Sequence, residues 1–174
     1  NTLTAIYSLA ECHVRKGSPG LALPLAEESL RGHQQTLGEE HEETLLAMSQ
    51  LSDAHCDMRN YAQGLPLARR VLEAHRRALG NEHDETQLSI NRVAVILDDM
   101  GDKEVALPLY EEDLQASRES LGDRHPDTLA SINVMGHLLQ EMGELEEARL
   151  LYSALLASSS THHVGSHTAL AAER

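Results

Sequence analysis

The chain has no tryptophan and no phenylalanine, and four tyrosines make up its whole aromatic content. A core must therefore be assembled from Leu, Ala, Ile, Val and Met. Such a core suits helices packed closely through small residues and suits a large β-sandwich poorly. Lysine is scarce too: two Lys accompany twelve Arg, and 28 acidic residues leave a net charge of −14. That balance argues against a nucleic-acid groove or an anionic membrane surface, both of which need clustered Lys and Arg. No apolar run approaches the ~20 residues of a membrane span, and no charged-then-apolar leader opens the chain. The two cysteines, Cys12 and Cys56, fall at different points of the repeat described below, which argues against a repeated disulfide. Reduced thiols are expected, in an intracellular chain of the cytoplasm or an organelle interior.

What the sequence does contain is a rhythm. Leu121-Gly122-Asp123-Arg124-His125-Pro126-Asp127-Thr128-Leu129 has close copies beginning at Leu37 and at Leu79, spaced by 42 residues each time. A fixed period of this size is the mark of a solenoid built from one repeated unit. The nonamer reads as a connector between helices. Leu closes one helix, Gly turns the chain through a left-handed conformation, and Thr is expected to cap the next helix. The register gives repeats 2–43, 44–85, 86–127 and 128–169, with 170–174 beginning a further repeat or a tail. Asn1-Thr2-Leu3 aligns with Asp127-Thr128-Leu129, so the chain is expected to be a piece of a longer array.

Each unit opens with a helix A, near 2–16 in the first copy. Ile6, Met48, Ile90 and Ile132 share one column, followed by Leu9, Leu51, Val93 and Met135. A small-residue column of Ala10, Ser52, Ala94 and Gly136 comes next, then His13, His55, Leu97 and Leu139. Offsets of three, four and seven mark one face of a helix. A break at Gly17, Arg59, Gly101 and Gly143 precedes Ser18, Asn60 and Asp102, which are good N-cap residues. Helix B then spans about 19–37, 61–79, 103–121 and 145–158. Its buried columns are headed by Ala22, Leu25, Ala26 and Leu30 in the first copy. Pro24, Pro66 and Pro108 stand in register inside helix B, where each forfeits a hydrogen bond and should bend the helix.

These columns resemble tetratricopeptide repeats. The standard unit has about 34 residues; a 42-residue unit whose helix B ends in Leu-Gly-x-x-His is the variant of kinesin light chain and its relatives. Their helix A text, Leu-Asn-Asn-Leu-Ala, is similar to Ile90-Asn91-Arg92-Val93-Ala94 and Ile132-Asn133-Val134-Met135-Gly136. Their helix B text, Ala-x-Pro-Leu-Tyr, matches Ala106-Leu107-Pro108-Leu109-Tyr110. The resemblance implies an all-α, right-handed superhelical solenoid of antiparallel helix hairpins with helix A on the concave side.

With the apolar columns buried, the free stripe of helix A comprises Tyr7, Glu11 and Val14, then Ser49, Asp53 and Cys56, then Asn91, Val95 and Asp98, and finally Asn133, His137 and Gln140. The resemblance assigns Asn91 and Asn133 to positions whose amides can bond an extended peptide. The second family asparagine is replaced by Ser8, Gln50, Arg92 and Val134. Acids dominate the stripe, so the expected partner is a protein segment carrying basic and apolar side chains. His41, His83, His125 and His167 lie one repeat apart and cannot converge on one ion; bonding to the connector backbone is their expected role. His162, His163 and His167 lack a further ligand for zinc. No phosphate loop, serine elbow or convergent acid pair assembles. The function expected is thus a non-catalytic protein–protein interaction module that uses its acidic concave groove, with no cofactor or metal. The alternative is a structural subunit or assembly factor docked in a larger complex.

Overall fold

The computed structural model describes residues 2–160. Within them the chain forms eight α-helices and no strand: α1 (Thr2–Arg15), α2 (Pro19–Leu37), α3 (Glu42–Asp57), α4 (Tyr61–Leu79), α5 (Asp84–Met100), α6 (Lys103–Leu121), α7 (Pro126–Met142) and α8 (Leu145–Ser160). The even-numbered helices begin at 19, 61, 103 and 145, a constant step of 42 residues. The chain is an all-α helical-repeat solenoid. Two compact units divide between Asp102 and Lys103. The first holds α1–α5, each packed on the next, with α1 also touching α3; the second holds α6–α8, each packed on the next. Residues 161–174, including His162, His163, His167 and the end of the fourth repeat, lie outside the described residues.

The predicted columns form the core. In α5, Ile90, Val93, Ala94 and Leu97 are all 2% exposed or less. Met48, Leu51 and Ser52 are buried alike in α3, as are Ile132, Gly136 and Leu139 in α7. Leu9 departs from its column at 49% exposed: α1 packs on α2 and α3, and neither covers it. His55 is buried, as its column requires, but its Nδ1 finds no hydrogen-bond partner. In helix B the column of Leu30, Leu72 and Leu114 is buried, but Leu156 is exposed. The Leu25, Leu67, Leu109 and Leu151 column is only half-buried. Pro24, Pro66 and Pro108 lie inside helices that continue through them.

The caps differ from expectation. Thr44, Thr86 and Thr128 lie inside their helices and are completely buried. The Thr44 hydroxyl donates to the Gly38 carbonyl at 2.7 Å, and that of Thr128 to the Ser117 carbonyl at 3.2 Å. The N-caps are instead His41, His83 and His125, whose Nδ1 accepts from the amide two residues on at 3.2, 3.2 and 3.3 Å. The imidazole reaches that amide because the histidine backbone is extended, whereas Thr44 bonds to the connector, Thr128 bonds to the preceding helix α6, and the Thr86 hydroxyl finds no partner among the described residues. Ser18 and Asn60 hold the N-cap positions of α2 and α4 without a side-chain cap bond, their ψ angles of 58° and 53° lying outside the extended range of a capping residue. Gly38 and Gly80 combine φ of 93° and 85° with ψ near 172°, a region essentially reserved for glycine. At the other break Arg59 has φ 58° where its counterparts are glycines.

Candidate functional site

In the first unit a cavity of about 880 Å³ opens along the odd-numbered helices. Its walls follow from helical spacing. Tyr7, Glu11 and Val14 come from α1, and Leu46, Ser49, Asp53 and Cys56 from α3. Leu88, Asn91, Val95 and Asp99 come from α5. Steps of three and four residues keep each set on one helix face. His75 reaches the rim from α4, held by the Ser89 hydroxyl at 2.8 Å.

Of the residues singled out from the sequence, this cavity brings together Tyr7, Glu11 and Val14 with Ser49, Asp53 and Cys56 and with Asn91 and Val95. Ser49 is 8% exposed and offers little surface. Asp99 lines the cavity and Asp98 does not: at about 100° per residue Asp99 falls within roughly 20° of Leu88, whereas Asp98 falls roughly 80° away, at the far edge of the face beyond Asn91. Asn133, His137 and Gln140 lie exposed on α7 in the second unit. There the Asn133 carbonyl accepts from the Tyr152 hydroxyl at 3.5 Å, and His137 Nδ1 lies 3.7 Å from Glu141. Glu141 also pairs with Lys103, whose hydrogen bond holds its exposed carboxyl below the usual range. The stripe of α7 is thereby neutralised.

The groove of the first unit stays acidic. Glu11, Asp53, Asp57, Glu85 and Asp99 line it, against Arg92 as the one Lys or Arg among the described lining residues. Glu11 is tied to Arg15 at 3.3 Å. Asp53 holds Arg92 at 2.9 Å. Asp57 and Asp99 make no ion pair among the described residues. Burial pushes the Asp53 carboxyl above the usual carboxylate range; Arg92 opposes this and Asp57 adds to it. Burial, then Glu11, raises the Tyr7 hydroxyl. The Cys56 thiol is pushed up to about 11, by burial first and by Asp53 second. A thiol held protonated is a poor nucleophile. Among the described residues no group of three His, Cys, Asp or Glu could hold a metal ion.

Sequence reasoning missed three contributors. Leu46 and Leu88, 44% and 63% exposed, line the groove with Val95 at 42% and give it an apolar edge. The two leucines stand 42 residues apart, one helical turn before Ser49 and Asn91, so their shared column was available as a signal. Gln50 is 6% exposed; its Nε2 donates to the Tyr7 carbonyl at 3.0 Å, while its Oε1 finds no donor.

An array of repeated helical hairpins of this kind is a protein–protein interaction module. Tetratricopeptide-repeat models match residues 2–43, 45–119 and 87–159. The chain belongs to the tetratricopeptide-repeat family, and its repeats have the fold of the kinesin light chain type. No curated protein matches the sequence significantly. Among solved structures, the TPR-like repeats of a candidate kinesin light chain from Podosopora anserina align with a TM-score of 0.84 at 23% identity, over 92% of this chain and 76% of that one. BtubC (BKLC) from P. vanneervenii aligns with a TM-score of 0.73 at 19% identity, over 87% of this chain and 60% of that one. A Rap protein complexed with competence and sporulation factor aligns with a TM-score of 0.72 at 12% identity, over 92% and 44%. At these identities the likeness is one of fold. Among the described residues no helix is long and apolar enough to cross a membrane.

Proposed function

We propose that the groove of α1, α3 and α5 holds a segment of a partner protein in which aliphatic side chains alternate with arginine or lysine. The observation that carries this reading is the lining itself: five carboxylates against one arginine, bordered by the exposed Leu46, Leu88 and Val95. Opposite charge steers encounter and sets specificity, and the aliphatic edge supplies contact area that leaves water on binding. Asn91, half-buried in the wall, is placed to bond the partner's backbone. The repeats 2–43, 44–85, 86–127 and 128–169 are the units of this array, and Asn133, His137 and Gln140 extend the same kind of contact on the second unit. The role is non-catalytic, in keeping with the interaction modules the family comprises.

Isothermal titration with two acetylated, amidated hexapeptides, one alternating Leu and Arg and one alternating Leu and Glu, tests this. The Leu/Arg peptide should bind and the Leu/Glu peptide should not. Changing both Leu46→Ser and Leu88→Ser should weaken binding about tenfold with the circular dichroism unchanged, as expected when two half-exposed leucines lose their contacts. Equal binding of both peptides, or indifference to the leucine changes, would refute the reading. A second reading, docking onto a larger complex, is favoured by α8, where Leu145 and Leu150 are 64% and 57% exposed.

A further inference from the structure

The Asp53 carboxylate, on the groove wall, is already occupied by a guanidinium from the same chain. Arg92 Nε donates to Asp53 Oδ1 at 2.9 Å and Nη2 to Oδ2 at 3.1 Å. Two parallel bonds of this kind satisfy both oxygens and reproduce the fork geometry that an arginine, and not a lysine, presents to a carboxylate. The pair joins α5 to α3 across the cavity and remains open to solvent, with the two side chains 34% and 40% exposed. A ligand can therefore reach it. Asp57 and Asp99 line the same cavity without ion pairs of their own among the described residues. Their negative potential keeps a displaced Arg92 favourably placed within the groove. Gln50, in the same lining, is almost wholly buried, and its Oε1 lacks a donor among the described residues.

We propose that Arg92 is a resident stand-in for an arginine of the partner: binding exchanges one guanidinium for another on Asp53. The inference rests on the reading of the groove given above and narrows the partner's basic residue to arginine. Exchange conserves the forked pair, so arginine displaces Arg92 without leaving Asp53 unsatisfied. Lysine offers a point charge in place of a fork and leaves the second oxygen without its donor. Neutral and acidic segments cannot displace Arg92 at all. Because one ion pair is lost as the other forms, the net gain at Asp53 is small. Arg92 thus lowers affinity for every cation while favouring the one that matches its own shape.

The full chain, titrated with the Leu/Arg hexapeptide and its Leu/Lys counterpart at low salt, tests the exchange. Arg92→Gln, with Arg92→Ala as a second variant should the first fold poorly, frees Asp53; Arg15→Gln removes an equal charge beside Glu11 and serves as the control. Arg92→Gln should bind the Leu/Arg peptide about fivefold tighter, in the range that releasing a half-exposed ion pair allows. Arg15→Gln should stay within about twofold of the parent. Adding Asp53→Asn to Arg92→Gln should abolish both the gain and the preference for arginine over lysine. In the parent chain the Arg92 Nε–H nuclear magnetic resonance signal should shift on saturation with the Leu/Arg peptide. An equal gain from Arg92→Gln and Arg15→Gln, or an unmoved Arg92 signal in a bound complex, would overturn the exchange and leave the groove reading standing. Failure of the Leu/Arg peptide to bind the parent and every variant would overturn the groove reading and the exchange with it.

Discussion

Residue by residue, the connector works differently from its appearance as text. Thr44, Thr86 and Thr128 carry the composition of an N-cap, yet the imidazole three residues earlier accepts the amide hydrogen bond. Histidine seldom serves as a cap, so propensity pointed to Thr; the burial that pulled each Thr inward depends on packing that a one-dimensional reading cannot supply. His83→Ala should lower the unfolding free energy by about 0.5–2 kcal/mol, the cost of a lost N-cap, measured by urea denaturation. No change would show that the imidazole contributes nothing there. Arg59 is a second residue-scale exception. It adopts φ 58° in a column otherwise occupied by glycine, a conformation that costs a side-chain-bearing residue roughly 1–2 kcal/mol.

At the scale of the helix, the apolar columns were legible because a period of three and four residues recurred at four places in one chain, and each recurrence reinforced the others. Their depth was less legible. Leu109 and Leu114 look equivalent as text, yet Leu114 is 3% exposed and Leu109 is only half-buried. Leu114→Ala should therefore cost ~2–5 kcal/mol, as for a fully buried leucine, and Leu109→Ala about half as much. Thermal and denaturant melts of the two variants check the order; a larger loss at Leu109 would place the interface of α6 on the other side of that helix. The groove stripe behaved similarly. Tyr7, Glu11, Ser49, Asp53 and Asn91 were within reach of a face-counting argument. The choice between Asp98 and Asp99 turned on one residue of helical phase, and the reach of Arg92 to Asp53 depends on a side chain crossing between helices.

For the molecule as a whole, the unequal distribution of charge matters more than its total. Among the described residues, Asp57 and Asp99 of the first unit stand in the groove without ion pairs, whereas in the second Glu141, one repeat beyond Asp99, is met by Lys103 and His137. A net charge of −14 carries no information on this point, because neutralisation depends on which helix brings a lysine to which acid. The division between Asp102 and Lys103 was likewise invisible in an uninterrupted 42-residue period. Asp53 ties the groove to stability. Burial raises its carboxyl, so its ionisation opposes folding as pH climbs from the ordinary carboxylate range through the raised value. Keeping an acid in a partly buried wall at a cost to folding is a sign of a surface shaped for binding.

The thiol at Cys56 has a practical consequence. Its Sγ would lie 2.6 Å from a β-carbon at residue 64, so it fills space that only glycine at that position leaves open. Its ionisation is displaced to about 11, while Cys12 is exposed. A maleimide added at neutral pH should consume Cys12 first and the half-buried Cys56, reached through the groove it lines, more slowly, turning the pair of cysteines into a built-in stopwatch for access to that groove. A ligand seated in the groove should make that stopwatch run slower, read as a delayed second mass increment; simultaneous labelling of both cysteines would show the wall beside Gly64 to be open from the start.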